Sequence, residues 1–180
     1  MARNLKVYRA EDAAARAAPA PALDGTREAA QAYLDKITRS AWWKRTCPPS
    51  WRGDRLRGAP GSVWVDDVPA RIIVRAHGRA VTGHASYGVR RYRGHRYPHI
   101  GLGTARPHGN LPAIADPWVI LHEVAHIMAV SADDKAGRGH GPIFAYYFRL
   151  CVTRWLGREA ASALREAYTV ERIKHRGRAA

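Results

Sequence analysis

Hydrophobic positions near the middle of the chain recur at the spacing of an α-helix. Residues three and four apart share one face of a helix, and apolar groups follow this spacing after the pair Asp116-Pro117, at Trp118, Leu121, Val124, Ala125 and Met128. Aspartate is a good N-cap, and proline suits the first helical position because its missing N–H is not needed there. The pattern predicts a helix from Pro117 to about Val130, which ends in a polar stretch at residues 131–134.

Three other segments have helical spacing. The spacing predicts an amphipathic helix at residues 26–40, a second helix that begins at Pro142 and continues to Trp155, and a final helix at residues 158–174. Trp42 and Trp43 follow the first of these. The two indoles could stack on nucleic-acid bases, but packing in a core or cleft is favoured because each ring has a large apolar area to bury.

Short apolar runs between these helices predict strands. They lie at residues 63–65, 72–74, 85–92 and 97–103, with turn residues between them. Strands and helices in this order predict an α+β fold with a small antiparallel or mixed sheet. The chain divides into a flexible Ala/Pro-rich arm at 1–23, of which residues 13–23 could instead form a short frayed helix, a single domain at 24–174 and a basic tail at 175–180.

The predicted helix at Pro117 carries the sequence His122-Glu123-Val124-Ala125-His126. This is the H-E-x-x-H pattern, in which two imidazoles one turn apart reach one metal ion and the glutamate lies beside its open side. A catalytic zinc keeps one position for water, so three protein ligands are expected. His140, just before the helix that Pro142 opens, is the favoured third ligand, with Glu159, Asp133 and Asp134 as carboxylate alternatives.

The strings HEVAH and HGPIF together resemble the SprT-like zincins, over roughly residues 60–160. The resemblance implies a zincin-like fold in which His122, His126 and His140 bind Zn²⁺ and Glu123 is the catalytic base. It also nominates residues 99–104 as a strand at the edge of the sheet that pairs with an extended peptide, while an ordinary strand of the sheet is an equally good interpretation of this segment. Many SprT-like proteins carry a zinc ribbon near the carboxy terminus, whereas Cys47 and Cys151 are the only cysteines here and form no CxxC pair.

These residues imply a hydrolytic mechanism. Zinc lowers the pKa of its bound water to about 7 and polarises a carbonyl, while Glu123 takes the water proton and passes it to the leaving amine. No motif assigns the group that stabilises the oxyanion. Five side chains are candidates for it: Tyr92, His99, His108, Tyr146 and Tyr147.

The chain is strongly basic, with 30 Lys and Arg against 15 Asp and Glu and a formal net charge of +15. Such a charge favours a polyanionic partner, although the excess of arginine over lysine is also typical of a GC-rich genome. The segment from Arg90 to Tyr97 interleaves basic and aromatic residues and is the candidate nucleic-acid surface, with Arg90, Arg91, Arg93 and Arg96 as phosphate contacts. A solvated hairpin whose arginines keep the protein soluble is an equally good interpretation of this segment.

The sequence thus predicts a cytoplasmic zinc metallopeptidase with a peptide or protein substrate, and the basic charge makes proteins associated with nucleic acid one candidate class. Two alternatives stay open: a nucleic-acid-binding protein with a structural or vestigial zinc site, and a metallohydrolase of small molecules. Neither a secretory signal nor a disulfide framework is visible. A membrane span is not expected, because the most apolar helix carries His122, Glu123 and His126.

Overall fold

The computed structural model describes residues 2–47, 73–76, 83–92, 95–106, 108, 111–132 and 139–174. For residues 2–4, 73, 75–76, 83–92, 95–99 and 130–131 the description covers the backbone alone. The predicted strand at 63–65, the candidate ligands Asp133 and Asp134, Arg93 and the tail at 175–180 lie outside the described residues.

The described elements are mostly helical, with one three-stranded sheet. The helices are α1 (Ala2–Ala17), α2 (Arg27–Thr38), α3 (Ala41–Thr46), α4 (Pro117–Ala132), α5 (Pro142–Trp155) and α6 (Arg158–Val170), and a 3₁₀ turn (Ala113–Ala115) precedes α4. The strands are β1 (Ile73–Ala76), β2 (Gly83–Tyr92) and β3 (His95–Leu102). All four predicted helices are present, and their bounds differ from the predicted ones by only a few residues.

The sheet has the order β1-β3-β2, so β3 is its central strand. It pairs in parallel with β1, from Ile73 opposite His99 to Ala76 opposite Leu102, and antiparallel with β2. The ladder between β2 and β3 is irregular between Ser86 and Arg90, across from Pro98. Proline has no backbone N–H to donate, which is why an irregularity is favoured opposite it.

The nomination of residues 99–104 as a free edge is therefore wrong. Residues 99–102 have hydrogen-bonded neighbours on both sides, so their backbone groups are not available to another chain. Ile100 and Leu102 are fully buried, as expected of a central strand. Among the described strands the edges are β1 and β2, and it is β2 that contacts α4.

Helix α4 lies at the centre of the molecule. It contacts α5 on one side and strands β2 and β3 on another, and every residue from Trp118 to Ala129 is buried. Helix α2 contacts β1, and the Gln31 side-chain oxygen accepts a 2.8 Å hydrogen bond from the Val74 amide. The sheet and the helices thus share one hydrophobic core.

The two consecutive tryptophans belong to this core. Trp43 in α3 is 2% exposed, and Trp42 packs edge-on against Trp155 with ring centroids 6.1 Å apart. The structure therefore agrees with packing rather than with an exposed stacking platform for bases.

The amino-terminal segment differs from the predicted flexible arm, because residues 2–17 form α1. This helix packs on α6 and buries Val7, Ala10, Ala14 and Ala15, which recur at helical spacing. Alanine favours helix strongly, and the small side chains let the two helices approach closely. Arg9 and Glu171 join α1 to the end of α6 through two hydrogen bonds of 2.9 and 3.0 Å.

Within the described ranges, no helix combines the length and the apolar character that crossing a lipid bilayer requires.

Candidate metal centre

The start of α4 follows from its N-terminal residues. One carboxylate oxygen of Asp116 accepts a 2.9 Å hydrogen bond from the Trp118 amide, and the other lies 2.9 Å from His108 Nδ1. Pro117 occupies the first helical position, so the predicted cap is confirmed. The cap fixes where the helix begins and therefore which of its residues face α5.

Three histidines meet where α4 packs against α5. The Nε2 atoms of His122, His126 and His140 lie 3.0 to 3.2 Å from one another. His122 and His126 are one turn apart on α4, and His140 immediately precedes Gly141, the residue that caps α5. Each of the three is at most 9% exposed. Packing of the two helices therefore brings a distant imidazole to the pair that the sequence places together.

This donor set fits a metal ion. Three nitrogens at this spacing lie about 1.8 Å from their common centre, slightly less than the roughly 2.0–2.1 Å of a zinc–imidazole bond. One ion can therefore contact all three nitrogens from one side of their plane. Among the described residues these three histidines are the one group of this kind.

The tautomer of His122 is also suited to a metal. Its Nδ1 lies 2.8 Å from Oε2 of Glu11 on α1, and an ionised Glu11 accepts a hydrogen bond from His122 with the proton on Nδ1. The lone pair of Nε2 then points towards the other two imidazoles. A carboxylate that orients a ligating histidine in this way is a regular feature of metal sites, and it raises the basicity of the ligand.

Burial keeps the three imidazoles neutral, which is the form that binds a metal. Desolvation lowers the pKa of His122 to about 3, helped by the charge of His108. Desolvation likewise lowers the pKa of His126 to about 2 and that of His140 to about 4, in each case with a contribution from the neighbouring histidines. Burial raises the pKa of Glu11 to about 8, against the attraction of His140 and His108. A bound dication would favour its ionised form.

An aromatic wall supports the three rings. The Phe144 ring centroid lies 4.3 Å from that of His126, 4.7 Å from that of His140 and 4.8 Å from that of His122. Phe148 stacks on Phe144 and also contacts His122. Both phenylalanines are fully buried. The phenylalanine of the HGPIF string thus limits the rotation of all three imidazoles.

Glu123 and Tyr8 stand beside the histidines. Glu123 follows His122 on α4 and is 4% exposed. The Tyr8 ring stacks on His122 at 5.7 Å and 12°, and it lies 4.8 Å from the His140 ring. Tyr8 is 47% exposed, and its pKa is raised by partial burial first and then by the charges of Glu11 and Glu123. The Tyr8 ring therefore contacts two of the three histidines and is partly open to solvent.

Several predicted site residues are not part of the cluster. Glu159 is exposed on α6 and does not belong to the group of possible ligands. His108 is engaged with Asp116, while Tyr146 and Tyr147 contact each other on α5. The side chains of Tyr92, His99, Arg90, Arg91 and Arg96 lie outside the described residues. Their backbones form an antiparallel hairpin in which Arg91 is opposite Arg96.

The sequence pattern does not predict Glu11 and Tyr8 as site residues, because it predicts a flexible arm at residues 1–23. One signal was available: Val7, Ala10, Ala14 and Ala15 recur at helical spacing, with Glu11 on the same face as Val7. A carboxylate on an apolar helix face indicates a buried partner. The identity of that partner depends on the packing of α1 and could not be read from the pattern.

No protein-family model, curated protein or solved structure matches this chain.

Proposed function

We propose that this protein is a zinc-dependent hydrolase of the metallopeptidase type, built on a zincin-like α+β fold. The observation that carries the proposal is the convergence of three buried Nε2 atoms within 3.2 Å, with the Glu123 carboxylate on the next residue of the same helix. Three nitrogen ligands leave a position for water, whereas a structural zinc is closed by four protein ligands.

His122, His126 and His140 would hold the ion. When bound there, zinc supplies Lewis acidity and makes a water molecule acidic enough to lose a proton near neutral pH. Imidazole ligands also suit several other transition metals, so the metal has to be identified by elemental analysis. Glu11 orients His122 through the 2.8 Å contact to Nδ1.

Glu123 is the general base in this proposal. Its carboxylate accepts a proton from the attacking water and returns it to the leaving amine. Burial favours this task, because few water molecules compete for the carboxylate. A purely structural metal site would not need an acid at this place.

Tyr8 is the proposed electrophilic partner of the reaction. Its ring packs against two of the three imidazoles, and its pKa is raised by partial burial, with smaller contributions from the charges of Glu11 and Glu123. Hydrogen bonding from a phenol stabilises negative charge that develops on a carbonyl oxygen. Tyr8 is thereby added to the five candidates from the sequence, because its ring contact with His122 and His140 is the contact of a tyrosine with the cluster that the structure describes.

Strand β2 is the proposed support for an extended substrate. It is an edge of the sheet within the described residues and contacts the helix that carries His122 and Glu123. The backbone groups of an edge strand can pair with a peptide regardless of its sequence. This geometry favours a peptide or protein over a small molecule.

The test compares three zinc-reconstituted proteins on a library of internally quenched peptides: the wild type, Glu123→Gln and Glu159→Gln. Glu123→Gln keeps the size of the side chain and removes the proton acceptor, so turnover should fall at least about a hundredfold with zinc content unchanged. Glu159→Gln is the matched control on an exposed acid and should behave like the wild type. Hydrolysis that survives in Glu123→Gln would exclude the mechanism. Zinc binding without hydrolysis in the wild type would favour a structural or vestigial site.

A further inference from the structure

A basic cleft opens directly beside the candidate metal centre. It has a volume of about 300 Å³, and its described lining includes Lys6, Val7, His140, Pro142, Arg172 and Lys174. This volume is at the lower end of the range for clefts that bind small ligands or single side chains. His140 belongs both to the metal cluster and to the wall of the cleft. A group held in the cleft therefore lies next to the reacting centre.

The charged side chains among the described lining residues of the cleft are all basic. Lys6, Arg172 and Lys174 contribute three cations, and no carboxylate is among the described lining residues. None of the three forms an ion pair with another described residue. Cations that share a concave surface without an anion repel one another, and an anionic ligand relieves this repulsion.

Hydrogen bonds hold the backbone turn that carries Arg172 and precedes Lys174. After α6 the chain turns through Arg172, which has a positive φ of 54°. The turn is closed by hydrogen bonds from the Arg172 amide to the Thr169 carbonyl and from the Ile173 amide to the Tyr168 carbonyl. This is the usual way of ending a helix with one left-handed residue, although glycine or asparagine is commoner there than arginine.

The nearest acid on this turn is already neutralised. Both carboxylate oxygens of Glu171 accept hydrogen bonds from Arg9. The same contact joins the carboxy-terminal end of α6 to α1, the helix that carries Lys6. The three cations therefore lie on two elements, α1 and the turn after α6, which the contact between Arg9 and Glu171 joins. Glu171 is paired with Arg9.

From this arrangement we propose that the cleft is a substrate subsite that binds a carboxylate of the peptide next to the scissile bond. The inference rests on the proposed peptidase function and specifies its substrate class. The carboxylate has two possible sources: an Asp or Glu side chain, or the free carboxy terminus of the substrate. The site would thus favour acidic peptides, or would act close to the carboxy terminus.

A binding experiment separates these sources without requiring turnover. Four labelled peptides are identical except that one position is Glu or Gln and the carboxy terminus is a free acid or an amide. Their affinities for zinc-loaded Glu123→Gln protein are measured by fluorescence anisotropy at near-physiological salt. The peptide with the recognised carboxylate should bind on the order of tenfold more tightly than its neutral partner, as expected for charge-assisted hydrogen bonds.

Two cleft variants and a matched control assign the effect to the cleft. In the Glu123→Gln background, Lys6→Gln with Lys174→Gln removes two cleft cations, and Arg172→Asn removes the third with a residue that tolerates positive φ. Both should abolish the preference for the carboxylate. Arg158→Gln with Arg165→Gln removes two exposed cations of α6 that do not line the cleft, and should keep it. Circular dichroism and zinc content show whether each variant is folded and loaded.

Three results would overturn the inference. The first is equal affinity for all four peptides, and the second is a preference of full size in the cleft variants. The third is a short single-stranded oligonucleotide that displaces the peptides and loses its own affinity in the cleft variants, which would assign the cations to phosphate. A different result would contradict the proposed function alone. In that case zinc-loaded wild-type protein hydrolyses no peptide, while binding still shows the preference for the carboxylate.

Discussion

The Oε2 atom of Glu11 lies 2.8 Å from Nδ1 of His122, although 111 residues separate them in the chain. Glu11 is 1% exposed and His122 is 6% exposed, so the contact is sealed from water. A carboxylate that is buried alone would cost several kcal/mol, and this one lies beside a histidine whose opposite nitrogen faces the metal cluster. The amino-terminal helix is thus part of the candidate metal centre.

Replacing Glu11 with glutamine should weaken zinc binding. Glutamine keeps a hydrogen-bond acceptor but removes the charge that raises the basicity of His122, so the affinity should fall about 10- to 100-fold. Competition with a chromophoric chelator measures this. Asp12→Asn is the control, since Asp12 lies on the same helix and pairs with Arg16 instead. Equal affinities in both variants would mean that Glu11 does not act through His122.

Alanine substitutions of His122, His126 and His140 should each reduce zinc content. Two remaining imidazoles hold a zinc ion much more weakly than three. Plasma emission spectrometry of dialysed protein gives the metal content per chain, and Glu159→Ala should keep its zinc. Full zinc occupancy in His140→Ala would transfer the third position to another ligand.

Tyr8→Phe should lower kcat while zinc content and KM change little. The substitution removes the hydroxyl and preserves the ring that packs on His122 and His140. Loss of one hydrogen bond to a developing oxyanion costs about a hundredfold in rate. Tyr146→Phe is the control, because Tyr146 contacts Tyr147 rather than the cluster. A change in KM alone would make Tyr8 a substrate-binding residue.

The stability of the metal-free protein should depend on pH through His126. Its folded-state pKa is lowered by burial to about 2, whereas an unfolded histidine titrates near 6.5. As the pH falls below about 6.5, the unfolded state binds a proton at His126, whereas the folded state leaves this histidine neutral. Folding then loses up to about 1.4 kcal/mol per pH unit from this residue.

A comparison with His126→Gln isolates this effect. Glutamine does not titrate, so the free energy of unfolding of the variant, relative to the wild type, should rise as the pH is lowered from 7 to 4. Urea titrations of both metal-free proteins provide the measurement. A constant difference across this range would contradict a neutral, buried His126.

Nucleic acid should bind to the protein without sequence preference, and the affinity should fall steeply with salt. The basis is the formal charge of +15 and the antiparallel hairpin that carries Arg90, Arg91 and Arg96. Replacing these three and Arg93 with glutamine should flatten the slope of log K against log salt by up to about 3.6 for duplex DNA. Four substitutions elsewhere, at Arg149, Arg154, Arg158 and Arg165, control for net charge. Absence of binding at low salt would leave the arginines without this role.

The sequence by itself determined the features that depend on neighbours along the chain. The Asp116-Pro117 cap, the helical spacing of apolar residues in α4 and the four-residue separation of His122 and His126 are local, so they can be read from the order of residues. His140 was also predicted, because a proline and a following apolar stretch place it at the start of a helix that can pack on α4. The pairing of residues 90–92 with residues 95–97 joins segments that are neighbours along the chain and is local for the same reason.

Only the tertiary structure decided which distant residues complete the centre. Glu11 and Tyr8 reach it because small alanines let α1 pack on α6, and nothing near these residues in the sequence encodes that contact. The central position of β3 was likewise undetermined, since an apolar run of this length is equally compatible with an edge and with the middle of a sheet. Strand order depends on pairing between segments far apart in the chain, which local patterns do not specify.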